Sequence, residues 1–192
     1  MGLALVAAVV AGVAVRTTSR SPQAERLWWP AALVAAGAAA ATQEASPVPA
    51  AVGLAAGGIV AAAAVDAAEG RVPTVVAHGT TAVSLAALAV YAHSRGDWSE
   101  LVGGPVVFAT LLTGACALFW ALGTMGFGDV RLAAATITAL VSGAEGAVLV
   151  LWCAFVASGL AVVTLRLAGR RPGHLPFGPG LALGWLVAIL VA

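Results

Sequence analysis

The stretch Gly126-Phe127-Gly128-Asp129-Val130-Arg131 decides how the rest of the chain is interpreted. It follows a long apolar segment and places a carboxylate directly behind two glycines. A charged side chain in a membrane segment is costly and usually marks a functional site, so Asp129 is a candidate site residue that needs a partner. The best partner is Asp66, which ends another apolar segment. The sequence therefore predicts a pair of acids at matching membrane depth.

The composition of the chain excludes a soluble globular protein. Its 192 residues are 61% hydrophobic and 9% charged, which is typical of a polytopic membrane protein. A net charge of +1 without any basic run gives no indication of a nucleic-acid partner. Cys116 and Cys153 lie inside apolar segments, and no cluster has the spacing of metal ligands. We expect a lipid bilayer as a partner, with no metal and no cofactor.

The apolar segments predict an all-α fold. A helix needs about 20 apolar residues to cross the hydrocarbon core, and by that measure the chain forms one membrane-embedded domain, residues 1–192, with about eight transmembrane helices. Gly57 and Gly58 in the third segment allow close approach of neighbouring helices. The first and sixth segments are short. The eight segments are residues 3–15, 27–41, 48–65, 72–91, 101–122, 132–141, 147–167 and 177–192.

The arginines predict the orientation, because cytoplasmic loops carry the excess of basic residues. Threading the eight segments with Asp66 and Asp129 at the cytoplasmic face leaves only Arg95 outside and puts both termini outside. The arginines then predicted at the cytoplasmic face are Arg16, Arg20, Arg26, Arg71, Arg131, Arg166, Arg170 and Arg171. The same threading brings the two acids to one face, so the topology permits them to meet.

Three motifs, in this order, resemble those of the type IV prepilin peptidases, which are membrane aspartic proteases. Asp66 is followed by Pro73 at the spacing of the first motif in that family, and residues 126–129 resemble its Gly-x-Gly-Asp motif. The resemblance covers the chain from the third segment onward and implies that Asp66 and Asp129 are the catalytic pair. It also implies site-shaping roles for Gly126, Gly128, Pro73 and the Pro-Phe-Gly-Pro stretch Pro176, Phe177, Gly178 and Pro179.

The resemblance implies an endopeptidase at the cytoplasmic face of the plasma membrane. Its substrates would be prepilins or pilin-like proteins of a type IV pilus or type II secretion system, from which it would remove a short basic leader. Two neighbouring carboxylates cannot both stay ionised near neutral pH, so one would accept a proton from water while the other donates one to the carbonyl oxygen. Thr74 stands where the family often has Asn, and Arg131 where Lys is common.

Local chemistry predicts how the motifs are shaped. Glycines adopt backbone angles closed to other residues, so Gly126 and Gly128 are expected to bend the chain before the sixth segment. Pro73, Pro176 and Pro179 are expected at the starts of helices, where a missing amide hydrogen costs nothing. Glu69 and Arg71 are interpreted as a solvated loop with a local ion pair, and Glu69 as an acid that could attract a basic leader.

The sequence leaves other functions open. The larger enzymes of the family carry a cytoplasmic insertion with paired Cys-x-x-Cys motifs and also methylate the new N-terminus. Residues 16–26 are too few for that insertion, so a peptidase-only form without N-methyltransferase activity is the better interpretation. The alternatives are a non-catalytic homologue that binds pilins and a small cation or proton transporter, each using the same two acids. A transporter predicts acids at mid-membrane depth.

Overall fold

A computed structural model describes residues 2–41, 49–96, 98, 106–123, 126–138, 144–169 and 177–191. These residues form helices and connecting turns without any strand. In chain order the helices are α1 (Gly2–Thr18), α2 (Pro22–Glu25), α3 (Trp28–Ala41), α4 (Pro49–Glu69), α5 (Thr74–Arg95), α6 (Val107–Ala121), α7 (Phe127–Thr138), α8 (Ala144–Leu167) and α9 (Phe177–Val191). The predicted all-α class is confirmed for this part of the chain.

A helix lies at each of the eight predicted apolar segments, and α2 is one additional turn. Several boundaries differ from the prediction, and two of them have a local explanation. Helix α7 begins at Phe127 rather than at residue 132, because Phe127, Gly128 and Asp129 already belong to its first turn. Helix α5 continues to Arg95 and ends at Gly96, whose φ of 67° is in the left-handed region that favours glycine after a helix.

Two of the described helices are long and apolar enough to cross a membrane, by length and composition. They are the segments Thr74–Arg95 and Val148–Leu167. Shorter apolar helices are Ala4–Thr18, Trp28–Ala40 and Phe177–Ala188. These helices indicate membrane association, while the full set of eight crossings stays a prediction.

Helix α4 is the central element of the described bundle. It packs against α1 and α3 on one side and against α5, α7 and α9 on another. The first contact buries small side chains such as Ala7, Ala35 and Ala61. The second buries Ile59 of α4 together with Leu132 of α7. Because α4 also carries Asp66 near its C-terminal end, the packing of the bundle determines what surrounds that acid.

Glycines bring the helices into close contact. A Cβ added at Gly57 would lie 2.8 Å from the carbonyl oxygen of Ala7, and one added at Gly58 would overlap the side chain of Thr80.

Between α8 and α9, a Cβ at Gly180 would lie 2.8 Å from the carbonyl oxygen of Ala154, and one at Gly184 would overlap the backbone of Val150. Small residues spaced four apart are a common interface between membrane helices, because they let two backbones approach closely.

We expect Gly184→Ala to destabilise the bundle, because the added methyl group forces α8 and α9 apart. Overpacking of this kind typically costs about 1 to 3 kcal/mol. Gly159→Ala on α8 is the matched control, since a Cβ there meets no atom within 4 Å. The measurement is the Tm of each purified variant in detergent. Equal Tm values for the two variants would contradict the close α8–α9 contact.

Candidate active site

Asp66 lies in the last turn of α4, with only 5% of its surface exposed. Its Oδ2 accepts a hydrogen bond of 3.0 Å from the backbone N–H of Gly178, the second residue of α9. The first N–H groups of a helix have no partner within that helix and attract negative charge. The N-terminus of the last helix is therefore one of the groups that stabilise the buried carboxylate.

Gly178 is needed at this position because of space. A Cβ there would lie 2.6 Å from Oδ2 of Asp66 and 3.1 Å from its Cγ. The preceding residue, Phe177, is buried and packs its ring on Phe155 at a centroid distance of 5.2 Å. Pro179 is the third residue of α9, in the first turn where a proline was predicted. Pro176 lies outside the described residues.

Asp129 occupies the first turn of α7 and is 8% exposed. Its Oδ2 accepts a hydrogen bond of 3.2 Å from the N–H of Gly126, while its own N–H donates to the Gly126 carbonyl oxygen at 3.1 Å. The bond from the Gly126 N–H to the Asp129 carboxylate is half of a capping box, in which the third helical residue reaches back to the residue before the helix. Asp129 therefore also lies at the N-terminal end of a helix.

The explanation predicted for Gly126 and Gly128 is wrong, because neither has the positive φ that only glycine adopts easily. The positive-φ glycine of this region is Gly123, at the end of α6, with φ 74°. Gly128 is instead a close contact, since a Cβ there would lie 3.1 Å from Cβ of Val72. A Cβ at Gly126 would lie 3.1 Å from Oδ2 of Asp129. Both glycines provide space rather than a special backbone angle.

Pro73 differs slightly from its predicted place. It is the residue before α5 rather than part of its first turn, with φ −65° and ψ 116°. Its carbonyl oxygen accepts the N–H of Ala77, and so begins the hydrogen bonding of the helix. Pro73 is buried beside Val72, against which Gly128 packs. The proline therefore fixes the chain direction just where α7 contacts the start of α5.

The two acids share one region of the bundle. Helices α4 and α7, which carry them, pack against each other, and both carboxylates are buried. Where a described residue donates a hydrogen bond to either carboxylate, the acceptor is the Oδ2 atom. The described residues contain no group of three side chains that could hold a metal ion. Two carboxyl groups can accept and donate protons, so the chemistry that this pair could supply is acid–base chemistry.

The prediction that Glu69 lies in a solvated loop is wrong. Its side chain is only 7% exposed, and one carboxylate oxygen accepts the backbone N–H groups of Arg20 at 2.6 Å and Ser21 at 2.8 Å. The other oxygen forms the predicted ion pair with Arg71, which also donates to the Thr18 carbonyl oxygen. Glu69 therefore ties the turn after α1 to the end of α4, and it has little surface left to attract a leader peptide.

The partners of Glu69 also shift its pKa. Burial raises the pKa of this carboxyl, but the N–H groups of Arg20 and Ser21, together with the Arg71 guanidinium, outweigh that effect and hold the pKa below its ordinary value of 4.5. A carboxyl with a lowered pKa in the folded state stabilises the fold above its ordinary pKa. That contribution disappears as the pH falls through the folded-state pKa.

We therefore expect Glu69→Gln to lower the Tm above the ordinary pKa of 4.5, and to have a progressively smaller effect as the pH falls through the lower folded-state pKa and the native carboxyl is protonated as well. The measurement is the Tm of both proteins in detergent across this pH range. Glu25→Gln is the matched control, because Glu25 is exposed and contacts Arg16 only at 3.8 Å. A Glu69→Gln effect that does not change with pH would contradict the assigned ionic contacts.

Comparisons with protein-family models, with curated proteins and with solved structures found no match to this chain. Its membership of a family is therefore a proposal that depends on the three motifs and on where the fold brings them. Parts of all three motifs meet in the described residues: Asp66 with Gly178, and Gly128 with Val72 beside Pro73.

Proposed function

We propose that this chain is a membrane aspartic endopeptidase that removes the short basic leader of prepilins or pilin-like proteins at the cytoplasmic face. The observation that carries the proposal is the pair of buried carboxylates, Asp66 and Asp129, contributed by two separate helices that pack against each other. Buried acids are expensive, and such pairs are typical of sites that move protons. The resemblance of the surrounding motifs to prepilin peptidases supplies the substrate class.

Hydrolysis by this pair requires no covalent enzyme intermediate. One carboxylate takes a proton from a water molecule, and the water oxygen attacks the peptide carbonyl carbon while the other carboxyl protonates the carbonyl oxygen. The tetrahedral intermediate then collapses, the C–N bond breaks, and the leaving nitrogen receives a proton. Because the Gly178 and Gly126 amides bind Oδ2 of Asp66 and Asp129, they would hold the carboxylates in place while the Oδ1 atoms act on water and substrate.

The proposed topology has eight membrane crossings with the acids near the cytoplasmic ends of their helices. Asp66 is in the last turn of α4 and Asp129 is in the first turn of α7, which supports a site near the membrane surface. Exposed Trp28 and Trp29 at the start of α3 are typical of an interfacial belt. A leader peptide in the cytoplasm would reach this depth just before its hydrophobic helix enters the bilayer.

One observation favours a second candidate function. Each acid accepts an N–H at the N-terminus of a helix, which is the geometry of a helix cap. A homologue that binds pilins without cutting them could keep both acids for that structural role alone. The transporter alternative is less well supported, since it requires acids at mid-membrane depth.

Asn substitutions separate catalysis from capping. The Asn side-chain oxygen still accepts an N–H, so Asp66→Asn and Asp129→Asn keep a cap but cannot exchange a proton with water. We expect each variant to insert into the membrane and to lose leader removal by at least about 100-fold, since general acid–base catalysis typically contributes 10² to 10⁴. The measurement is the conversion of a coexpressed prepilin from the same genome, followed on a gel.

Glu25→Gln is the control for loss of an acid at the same end of the bundle, and it should cut at the wild-type rate. Two Asn variants that cut normally would show that the acids are not catalytic. A wild-type protein that binds the prepilin without cutting it would favour the non-catalytic homologue.

Gly178→Ala tests the arrangement around Asp66. The new Cβ would lie 2.6 Å from Oδ2, so the carboxylate must move away from its position at the N-terminus of α9. We expect leader removal to fall by about 10- to 100-fold, because catalysis is sensitive to displacements of about 1 Å. Gly159→Ala, which adds its methyl group in open space, should cut like the wild type. A normal rate in Gly178→Ala would argue against the assigned position of Asp66.

A further inference from the structure

A hydrogen bond joins the segments that follow the two acids. Nη1 of Arg131, two residues after Asp129, donates to Oγ1 of Thr74 at 2.7 Å. Thr74 comes directly after Pro73 and is the first residue of α5. The contact therefore connects the first turn of α7, which carries Asp129, to the chain that leaves α4 just after Asp66.

The Arg131 side chain is oriented by a second contact. Its guanidinium carbon lies 4.3 Å from the ring centroid of Phe127, and that ring packs on Trp120 of α6 at 4.9 Å. A guanidinium held over an aromatic ring has already lost part of its rotational freedom, so less entropy is lost when it binds Thr74. On the neighbouring face of the same turn, Gly128 packs against Val72. The first turn of α7 is thus held on residues 72–74 by one apolar contact and one polar contact.

The reach of the Arg131–Thr74 contact can be kept while both residues are changed. The Arg side chain extends one atom further than Lys, and the Thr hydroxyl lies one atom closer to its backbone than the Asn amide. The combined reach of an Arg–Thr pair therefore equals that of a Lys–Asn pair, whereas Lys–Thr is one atom shorter and Arg–Asn one atom longer.

We propose that Arg131 and Thr74 form a matched positioning pair that holds the first turn of α7 against the start of α5, and so keeps Asp129 in register with Asp66. This inference rests on the proposed peptidase function. Neither residue touches the reacting atoms, and both act through the acids. Thr74 is exposed, so the bond adds little to the overall stability of the bundle. Its effect is therefore expected in the geometry of the acids rather than in the Tm.

The experiment is a swap of the pair. Arg131→Lys, Thr74→Asn and the double variant are compared with the wild type, and Arg26→Lys is the control for an exposed arginine at the same end of the bundle. Two quantities are measured for each protein in detergent. The first is kcat and KM for leader removal from a purified prepilin, and the second is the amide hydrogen-exchange rate of residues 127–131.

In both single variants, the amide hydrogens of residues 127–131 are expected to exchange faster than in the wild type. We also expect kcat to fall by about 10-fold or more with little change in KM, because the catalytic group is displaced. The double variant should recover both quantities, and Arg26→Lys should change neither. A double variant no better than the worse single variant would overturn the matched pair, as would single variants with wild-type kcat. If the bond had only a structural role, the single variants would have a lower Tm, but kcat would not fall in them and recover in the double variant.

The exchange measurement also separates this inference from the proposed function. If the wild type cuts no prepilin while the single variants still exchange faster and the double variant recovers, the pair holds the segments and the peptidase proposal fails. If exchange is the same in all variants, the contact does not hold α7, and the inference is overturned whatever the cleavage rates are.

Discussion

The burial of two carboxylates in an apolar helical bundle is the constraint on which the rest of this structure depends. Removing a carboxylate from water costs several kcal/mol unless hydrogen bonds and nearby charges compensate. Here Asp66 and Asp129 each accept an N–H at the N-terminal end of a helix, where the backbone amides and the helix dipole favour negative charge. The motifs around the acids therefore combine two roles. They bring helix ends to the carboxylates, and they remove side chains, as at Gly178, that would otherwise occupy the same space.

The remainder of the bundle serves to bring these helix ends together. Helix α4 contacts α1, α3, α5, α7 and α9. Close approach at Gly57 and Gly58 fixes its position against α1 and α5. Helix α9, whose first turn binds Asp66, is held against α8 through Gly180 and Gly184. Such contacts between small residues stabilise helices in lipid, where apolar burial supplies little driving force. Glu69 adds a polar anchor between α4 and the turn after α1, just beyond the acid.

Much of this could be predicted from the sequence. The apolar segments predicted the helices because their lengths and flanks are local properties, and the motif spacing singled out Asp66 and Asp129. The contacts of Glu69 could not be predicted, since its partners are backbone N–H groups about 49 positions away, which have no side-chain signature. The Arg131–Thr74 bond was missed for a similar reason, because each residue was considered within its own motif. Gly126 and Gly128 were recognised as necessary, but a sequence does not distinguish a glycine required for φ from one required for space.

The central claim is that Asp66 and Asp129 act together on one tetrahedral centre. Its most direct test uses a peptide spanning the leader junction of a candidate prepilin, with the scissile amide replaced by a hydroxyethylene group that resembles the tetrahedral intermediate. The measurement is its Kd for the purified protein, compared with the same peptide lacking the hydroxyl group. We predict that the hydroxyl tightens binding by about 100-fold or more in the wild type, and that this gain disappears in Asp66→Asn and in Asp129→Asn. Equal Kd values for the two peptides in the wild type would contradict the claim.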